Sequence, residues 1–320
     1  MTLSVLGAGA FGMALSCVLG RAGRPVMLWA RDPSLVASIA ETRRNDTHLP
    51  GADLPECVSV TAELGEAAAA RTVLLAVPMQ SLSNLLTRCP PFGADQALVA
   101  CCKGIDLATL DGPTGVVARH TPGVPAILSG PGFAADLARG LPTAMTLACR
   151  DGNRGSALQG LLSTATLRLY RTEDTLGVEL GGALKNVVAI AAGAVIGAGL
   201  GDSARAALVT RGFAEMRRLA QHLGARSETL GGLSGLGDLI LTATSPQSRN
   251  FRHGLALGEG RQPKAGETVE GVATARAVTV LAKREGIDMP VAATVAALVD
   301  RHAPIGQVVA ALMSRPLTEE

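Results

Sequence analysis

Leu3-Ser4-Val5-Leu6-Gly7-Ala8-Gly9-Ala10-Phe11-Gly12 decides the reading of this chain. A short apolar run meets Gly-x-Gly-x-x-Gly, and an apolar helical pattern, Met13 to Leu19, follows directly. Each glycine has its own task in a dinucleotide site. Gly7 permits the tight turn from strand to helix. Gly9 lets a pyrophosphate approach the backbone. Gly12 lets the helix pack close to the strand. The first N–H groups of the helix then face the phosphates, and the helix dipole favours their charge. An ordinary glycine-rich turn can use the same residues. The setting between a strand pattern and a helix pattern makes dinucleotide binding the expectation.

Outward from this turn, the first half alternates unbroken apolar runs with helical patterns. The runs are Leu3–Leu6, Val26–Ala30, Val73–Val77, Ala97–Cys101, Ala126–Leu128, Ala144–Ala148 and Leu167–Tyr170. Helical patterns between them include Ser34–Arg43, Ser81–Arg88, Thr114–His120 and Gly155–Ser163. This predicts an α/β fold, a Rossmann-type, mostly parallel sheet covered on both faces. The direction of the last two strands is left open. Beyond Thr172 the strand signal stops. Helical segments are expected over Leu176–Ala198, Ser203–Leu223, Ser227–Gly231, Gly237–Ala243, Arg249–Leu257, Thr274–Glu285, Met289–Val299 and Ile305–Met313. The expected division is a dinucleotide-binding domain over 1–174 and an all-helical domain over 175–320. In such a build the ligand cleft is expected between the parts, beyond the carboxyl ends of the strands.

Composition narrows the function. Of the 320 residues, 48% are hydrophobic and 18% charged, enough for two cores and unlike a disordered chain. Aromatics at 2% argue against stacking platforms for nucleic acid, and a net charge of +2 without basic blocks argues against a polyanion surface. The cysteines Cys17, Cys57, Cys89, Cys101, Cys102 and Cys149 form no Cys-x-x-Cys pair. They read as reduced core thiols of a cytoplasmic protein. The five histidines are scattered, so no metal is expected. Met1-Thr2 runs straight into the first strand without a basic leader, so no signal peptide is expected. The stretch Asn186 to Gly201 is read as too short to span a bilayer. The apolar helical half is compatible with a homodimer.

Four clusters fall where the cleft is expected. Lys103, in Cys101-Cys102-Lys103-Gly104, follows a strand and is placed to reach a carbonyl or a phosphate. A solvated surface lysine fits equally. Ser129-Gly130-Pro131-Gly132-Phe133-Ala134 opens a helix and offers N–H groups to an anion, or is a plain turn. Lys185 shares a helical face with Gly181, Gly182, Val188 and Ala189, and no other charge lies between Leu180 and Gly201. Small neighbours let another element approach, and desolvation there disfavours the charged amine. Such a lysine can exchange a proton with a reacting oxygen, unless it snorkels to water. Asp238, after the Gly235-Leu236-Gly237 turn, is either a helix cap or a partner for Lys185. Ser248-Arg249-Asn250 combines hydroxyl, guanidinium and amide at a helix start, a set competent to bind phosphate. An N-cap followed by a surface arginine has the same pattern.

With these clusters in this order, the chain resembles the bacterial NAD(P)-dependent glycerol-3-phosphate dehydrogenases over nearly its whole length. The most specific stretches are Gly181 to Ile190, Thr210-Arg211-Gly212-Phe213-Ala214-Glu215-Met216, Gly235 through Asn250, and Val269-Glu270-Gly271. The resemblance implies reduction of dihydroxyacetone phosphate to sn-glycerol 3-phosphate with NAD or NADP as cofactor, supplying phospholipid synthesis in the cytoplasm. It implies that Lys185 transfers the proton, with Lys103 and Asp238 as helpers and Thr242 beside them. Gly130, Gly132, Ser248, Arg249 and Asn250 match substrate-binding positions. Gly7, Gly9, Ala10, Phe11, Gly12, Arg31, Lys103, Ala134, Arg249, Thr268 and Glu270 match cofactor positions.

The chain departs from the pattern in places. Ala10 stands where Ser or Thr is usual, Gly132 replaces a usual Thr or Ser, and Cys102 stands where Thr often precedes the lysine. The segment before Val269 is short. Arg31 and Asp32 adjoin where the adenosine ribose is expected. Asp32 suits a free 2′-hydroxyl and Arg31 a 2′-phosphate. Two rival readings remain at this point: a two-domain dehydrogenase acting on another hydroxy acid or ketone, and a non-catalytic NAD(H)-binding sensor.

Overall fold

The computed structural model describes residues 3–300, so the segment 305–313 and the first two residues lie outside it. Two compact units divide the chain. The first comprises 1–103 and 111–179. The second comprises 104–110 and the residues from 180 onward.

The first unit is built on an eight-stranded sheet. Its strands are β1 (Leu3–Leu6), β2 (Val26–Trp29), β3 (Val58–Thr61), β4 (Thr72–Leu75), β5 (Ala97–Ala100), β6 (Val124–Ser129), β7 (Thr143–Cys149) and β8 (Leu167–Thr172). The spatial order is β3-β2-β1-β4-β5-β6-β7-β8. Strands β3 to β6 in this order run parallel. β7 is antiparallel to β6, and β8 is parallel to β7. Chain order reverses between β1 and β4, the switch point at which open α/β sheets take ligands.

β1, β2, β4 and β5 are buried at every position. Alternate residues feed two cores. Leu3, Val5, Leu28 and Leu74 join Met13, Leu15 and Leu19 of the helix Ala10–Arg21 on one face. Leu6, Trp29, Leu75 and Leu98 join Leu82 and Leu86 of the helix Met79–Arg88 on the other. Burial on both faces is why these strands read as continuous apolar runs.

The sequence reading missed β3. Its residues Val58-Ser59-Val60-Thr61 alternate rather than run apolar, because the strand lies at the sheet edge. The short helix Leu64–Ala68 is missed as well, too brief for a helical period, whereas the helix expected to open after the Ser129–Phe133 turn is present as Ala134–Ala138.

The described part of the second unit is helical. It contains most of Thr175–Gly197, then Gly201–His222, Ser227–Gly231, Asp238–Thr244, Arg249–Gly258, Glu270–Glu285 and Pro290–Val299. A single π-turn, Leu233–Gly237, precedes Asp238–Thr244. The helix Thr175–Gly197 corrects one expectation. It runs 23 residues, long and apolar enough to cross a membrane by length and composition, with 89% of its most apolar window buried inside the protein. Its backbone meets that of Arg249–Gly258 closely. A Cβ on Gly193 would lie 2.0 Å from the Phe251 carbonyl oxygen, and one on Gly254 would lie 1.9 Å from that of Ile190.

Candidate active site

Four clusters of the first unit follow parallel strands. The glycine turn follows β1, Arg31 follows β2, Lys103 follows β5 and Gly130 follows β6. Gly7 has φ +119°, and a Cβ there would stand 2.5 Å from the Ala76 carbonyl oxygen beyond β4. A Cβ on Gly12 would stand 1.8 Å from the Gly7 carbonyl oxygen. Only glycine fits either place. The helix Ala10–Arg21 opens with no side-chain cap and no acid in its first turn. Its leading N–H groups lack intrahelical acceptors, as at any helix start. This cradle suits a dinucleotide pyrophosphate. Phe11 and Ala134 are partly buried against the same apolar cluster.

Asp32 caps the helix Pro33–Thr42. Its Oδ1 accepts from the Ser34 amide at 2.9 Å and from the Ser34 hydroxyl at 2.7 Å. The hydroxyl and then the amide of Ser34 hold this carboxyl below the usual range. Arg31 beside it is exposed.

Lys103 is half-buried, and its Nζ donates to the Gly130 carbonyl at 3.1 Å. Two residues chosen separately from sequence thus meet. Gly130 takes φ +146°. The position of Gly132 is crowded. A Cβ there would lie 3.2 Å from Thr143 Cγ2 and 3.5 Å from Leu137 Cδ1. Next to the lysine, burial pushes the Cys101 thiol up to about 12, so it stays protonated. All six cysteines are free.

Lys185 lies at the heart of the second unit. Its side chain is 7% exposed and that of Asp238 2%. Lys185 Nζ lies 3.0 Å from Asp238 Oδ1. It donates to Thr242 Oγ1 at 2.7 Å, and the Thr242 hydroxyl donates to Asp238 Oδ1 at 3.2 Å. Asp238 and Thr242 share one helical face. Gly237 is the N-cap of Asp238–Thr244 and Asp238 the first residue inside that helix, where its carboxylate pairs with Lys185. The small residues act as expected. A Cβ on Gly181 would stand 2.9 Å from the Ser234 carbonyl oxygen, so the π-turn reaches the lysine's helix at Gly181. The ammonium does not snorkel to water. Its burial is offset by the carboxylate.

Asn186, given no role from sequence, turns to other partners. The Asn250 amide donates to Asn186 Oδ1 at 2.9 Å, and Asn250 Oδ1 accepts from the Gly271 amide at 2.9 Å. This buried chain ties the lysine's helix to the starts of Arg249–Gly258 and Glu270–Glu285. Ser248 Oγ caps the former by accepting from the Phe251 amide at 3.2 Å. Arg249 is exposed, Glu270 half-buried in the first turn of its helix, and Thr268 exposed ahead of it. Glu215, quoted only within a family-like stretch, accepts from the Val291 and Ala292 amides at the start of Pro290–Val299. Among the described residues, no three His, Cys, Asp or Glu side chains gather as a metal site.

Two family descriptions match consecutive parts of the chain. NAD-dependent glycerol-3-phosphate dehydrogenase N-terminus matches 2–154, and the C-terminus of the same family matches 174–310. The chain belongs to the NAD-dependent glycerol-3-phosphate dehydrogenase family. Relatives of this dehydrogenase family include glycerol-3-phosphate dehydrogenase [NAD(P)+] of Cereibacter sphaeroides, 61% identical over 99% of this chain and 100% of that protein. The protein of that name from Paracoccus denitrificans is 57% identical over the full length of both. The crystal structure of glycerol-3-phosphate dehydrogenase from Coxiella burnetii superposes with a TM-score of 0.93 at 35% identity, covering 98% of this chain and 99% of that one. The match to both parts of one dehydrogenase family separates the chain from other two-domain dehydrogenases that share only a fold.

Proposed function

We propose that the chain is an NAD(P)-dependent glycerol-3-phosphate dehydrogenase that interconverts dihydroxyacetone phosphate and sn-glycerol 3-phosphate, supplying glycerophospholipid synthesis. The observation that carries this is the buried Lys185–Asp238–Thr242 cluster, in a chain that matches this family along its length. In this reading residues 1–174 hold the dinucleotide and residues 175–320 supply the proton donor.

The reduced nicotinamide, when bound, supplies hydride to the ketone carbon. The protein orients the reactants and manages charge and proton. Negative charge grows on the carbonyl oxygen, and the Lys185 ammonium is the group that meets it and gives up a proton. Asp238 and Thr242 hold Nζ in one place from behind. Lys103, steadied by the Gly130 carbonyl, adds positive charge. Arg249, with the start of its helix, takes the phosphate, so binding energy from the non-reacting end positions the ketone. A cytoplasmic location and a homodimer complete the proposal. The apolar character of the helical half, with Ile240 and Val280 exposed, supports the latter.

Steady-state oxidation of NADH and NADPH with dihydroxyacetone phosphate and a panel of other small ketones tests the function. Turnover confined to the phosphorylated ketone is expected. Preference for a keto acid overturns it.

A further inference from the structure

We propose that Asn45 is a positioning residue for the dinucleotide pyrophosphate, acting through the peptide that joins Ala8 to Gly9. This rests on the reading of the glycine turn as the dinucleotide site. Nothing in the sequence pattern marks Asn45, which lies in the loop between the helix Pro33–Thr42 and β3. The structure gives it a specific partner. Asn45 is 2% exposed, and its Nδ2 donates to the Ala8 carbonyl at 2.7 Å. The reverse orientation of the amide would set two acceptor oxygens against each other, so the donor assignment follows from chemistry.

The loop that presents Asn45 is itself fixed. Arg43 ends the preceding helix in a left-handed conformation, φ 60°. Arg44 and Asp53 form an isolated bridge. The Asn45 carbonyl accepts from the His48 and Leu49 amides at 3.1 and 2.8 Å. Leu49, Ala52 and Leu54 are buried in the apolar cluster that includes the helix after the glycine turn. Asn45 is thus held in place before any ligand arrives.

The consequence is directional. In a trans peptide the C=O and the following N–H point in opposite directions, and the described chain contains no cis peptide. Drawing the Ala8 oxygen to Asn45 therefore turns the Gly9 N–H away from Asn45. Two other carbonyls of this stretch are held too. The Leu6 oxygen accepts from the Ala76 amide at 2.9 Å and the Gly9 oxygen from the Met13 amide at 2.9 Å. With these oxygens retained by internal donors, the turn offers an anion N–H groups rather than carbonyls. A loose Ala8–Gly9 peptide would be free to present its oxygen to the phosphates and repel them.

The test uses Asn45→Asp, which places a carboxylate against the Ala8 oxygen, and Asn45→Ala, which removes the donor without adding charge. Binding of NADH, ADP-ribose and adenosine is measured by calorimetry on the full chain, beside thermal unfolding. NADH and ADP-ribose are expected to bind about tenfold more weakly to Asn45→Asp and about threefold more weakly to Asn45→Ala. Adenosine, which lacks the pyrophosphate, keeps its wild-type affinity, and in turnover the loss falls on the NADH KM more than on kcat. Asn45→Ala carries the test alone if Asn45→Asp does not fold. Wild-type affinity for ADP-ribose in the folded variants overturns the proposal, as does an equal loss for adenosine. A wild-type chain that binds no ADP-ribose overturns the dinucleotide reading, and this proposal with it.

Discussion

The ammonium of Lys185 and the carboxylate of Asp238 meet at 3.0 Å inside the helical unit, both screened from solvent. Neither charge is tolerable there alone. Removing one partner of a buried pair costs about 3–5 kcal/mol, because the other is left uncompensated. Asp238→Asn is expected to lower stability by that order in chemical denaturation and to lower kcat as well. Lys185→Ala is expected to fold and to bind NADH, yet to lose about 100-fold or more of kcat. Near-normal turnover in Lys185→Ala would reject the proton-donor role. The double variant is expected to be less destabilised than the two single effects added together, since both remove the same interaction.

Arg249 is exposed at the start of its helix, free of the buried amide chain that engages Asn250. Arg249→Ala is expected to raise KM for dihydroxyacetone phosphate by about tenfold or more, the worth of a charge-assisted phosphate contact. The unphosphorylated ketone, dihydroxyacetone, should respond far less. Equal effects on both ketones would argue against a phosphate contact.

Asp32 Oδ1 is occupied by Ser34, whereas Arg31 is exposed beyond β2. Arg31→Ala is therefore expected to raise the KM for NADPH several-fold, about 1 kcal/mol for a solvent-exposed ion pair at most, and to leave that for NADH nearly unchanged. A parallel change in both would remove Arg31 from the 2′-phosphate.

Glu179 introduces a pH dependence into the first unit. It accepts from the Thr114 amide at the start of the helix Pro113–His120, and a Cβ on Gly112 would stand 2.7 Å from its carboxyl carbon. Burial pushes this carboxyl up to about 7, against the Thr114 hydrogen bonds and the Arg150 charge, while Asp111 adds to the rise. The unfolded chain gives up this proton near 4.5, and the folded chain keeps it until about 7. Between those values the folded state binds more protons, so stability falls as pH rises, by about 3 kcal/mol in all. Glu179→Gln keeps an acceptor for Thr114 and removes the titration. Its unfolding midpoint is expected to vary less from pH 5 to 7 and to exceed that of the wild type at pH 8. An unchanged pH profile would show that Glu179 does not ionise over this range.

Much of this arrangement is legible along the chain because it rests on local rules. Strands buried on both faces read as apolar runs, which makes β1, β2, β4 and β5 plain in the sequence; both edge strands alternate, and of these β8 was legible and the shorter β3 was not. Gly7 and Gly12 are visible because backbone packed against backbone admits no side chain. Lys185 is conspicuous as the one charge in a long apolar segment. The contacts made by Asn45 and Asn186 were not legible, since an asparagine in a loop or helix has no periodic signature.

Residue order alone determined the two-part build, the glycine cradle and the choice of Lys185, Lys103 and Asp238, since each follows from patterning or from a local motif. Tertiary structure alone decided which groups touch. It set Asp238 and Thr242 against Lys185, joined Asn186 to Asn250 and Gly271, and brought Asn45 onto the Ala8 carbonyl. The reason is distance along the chain. A hydrogen bond between side chains on separate elements depends on how those elements pack, and neither periodicity nor composition records that packing.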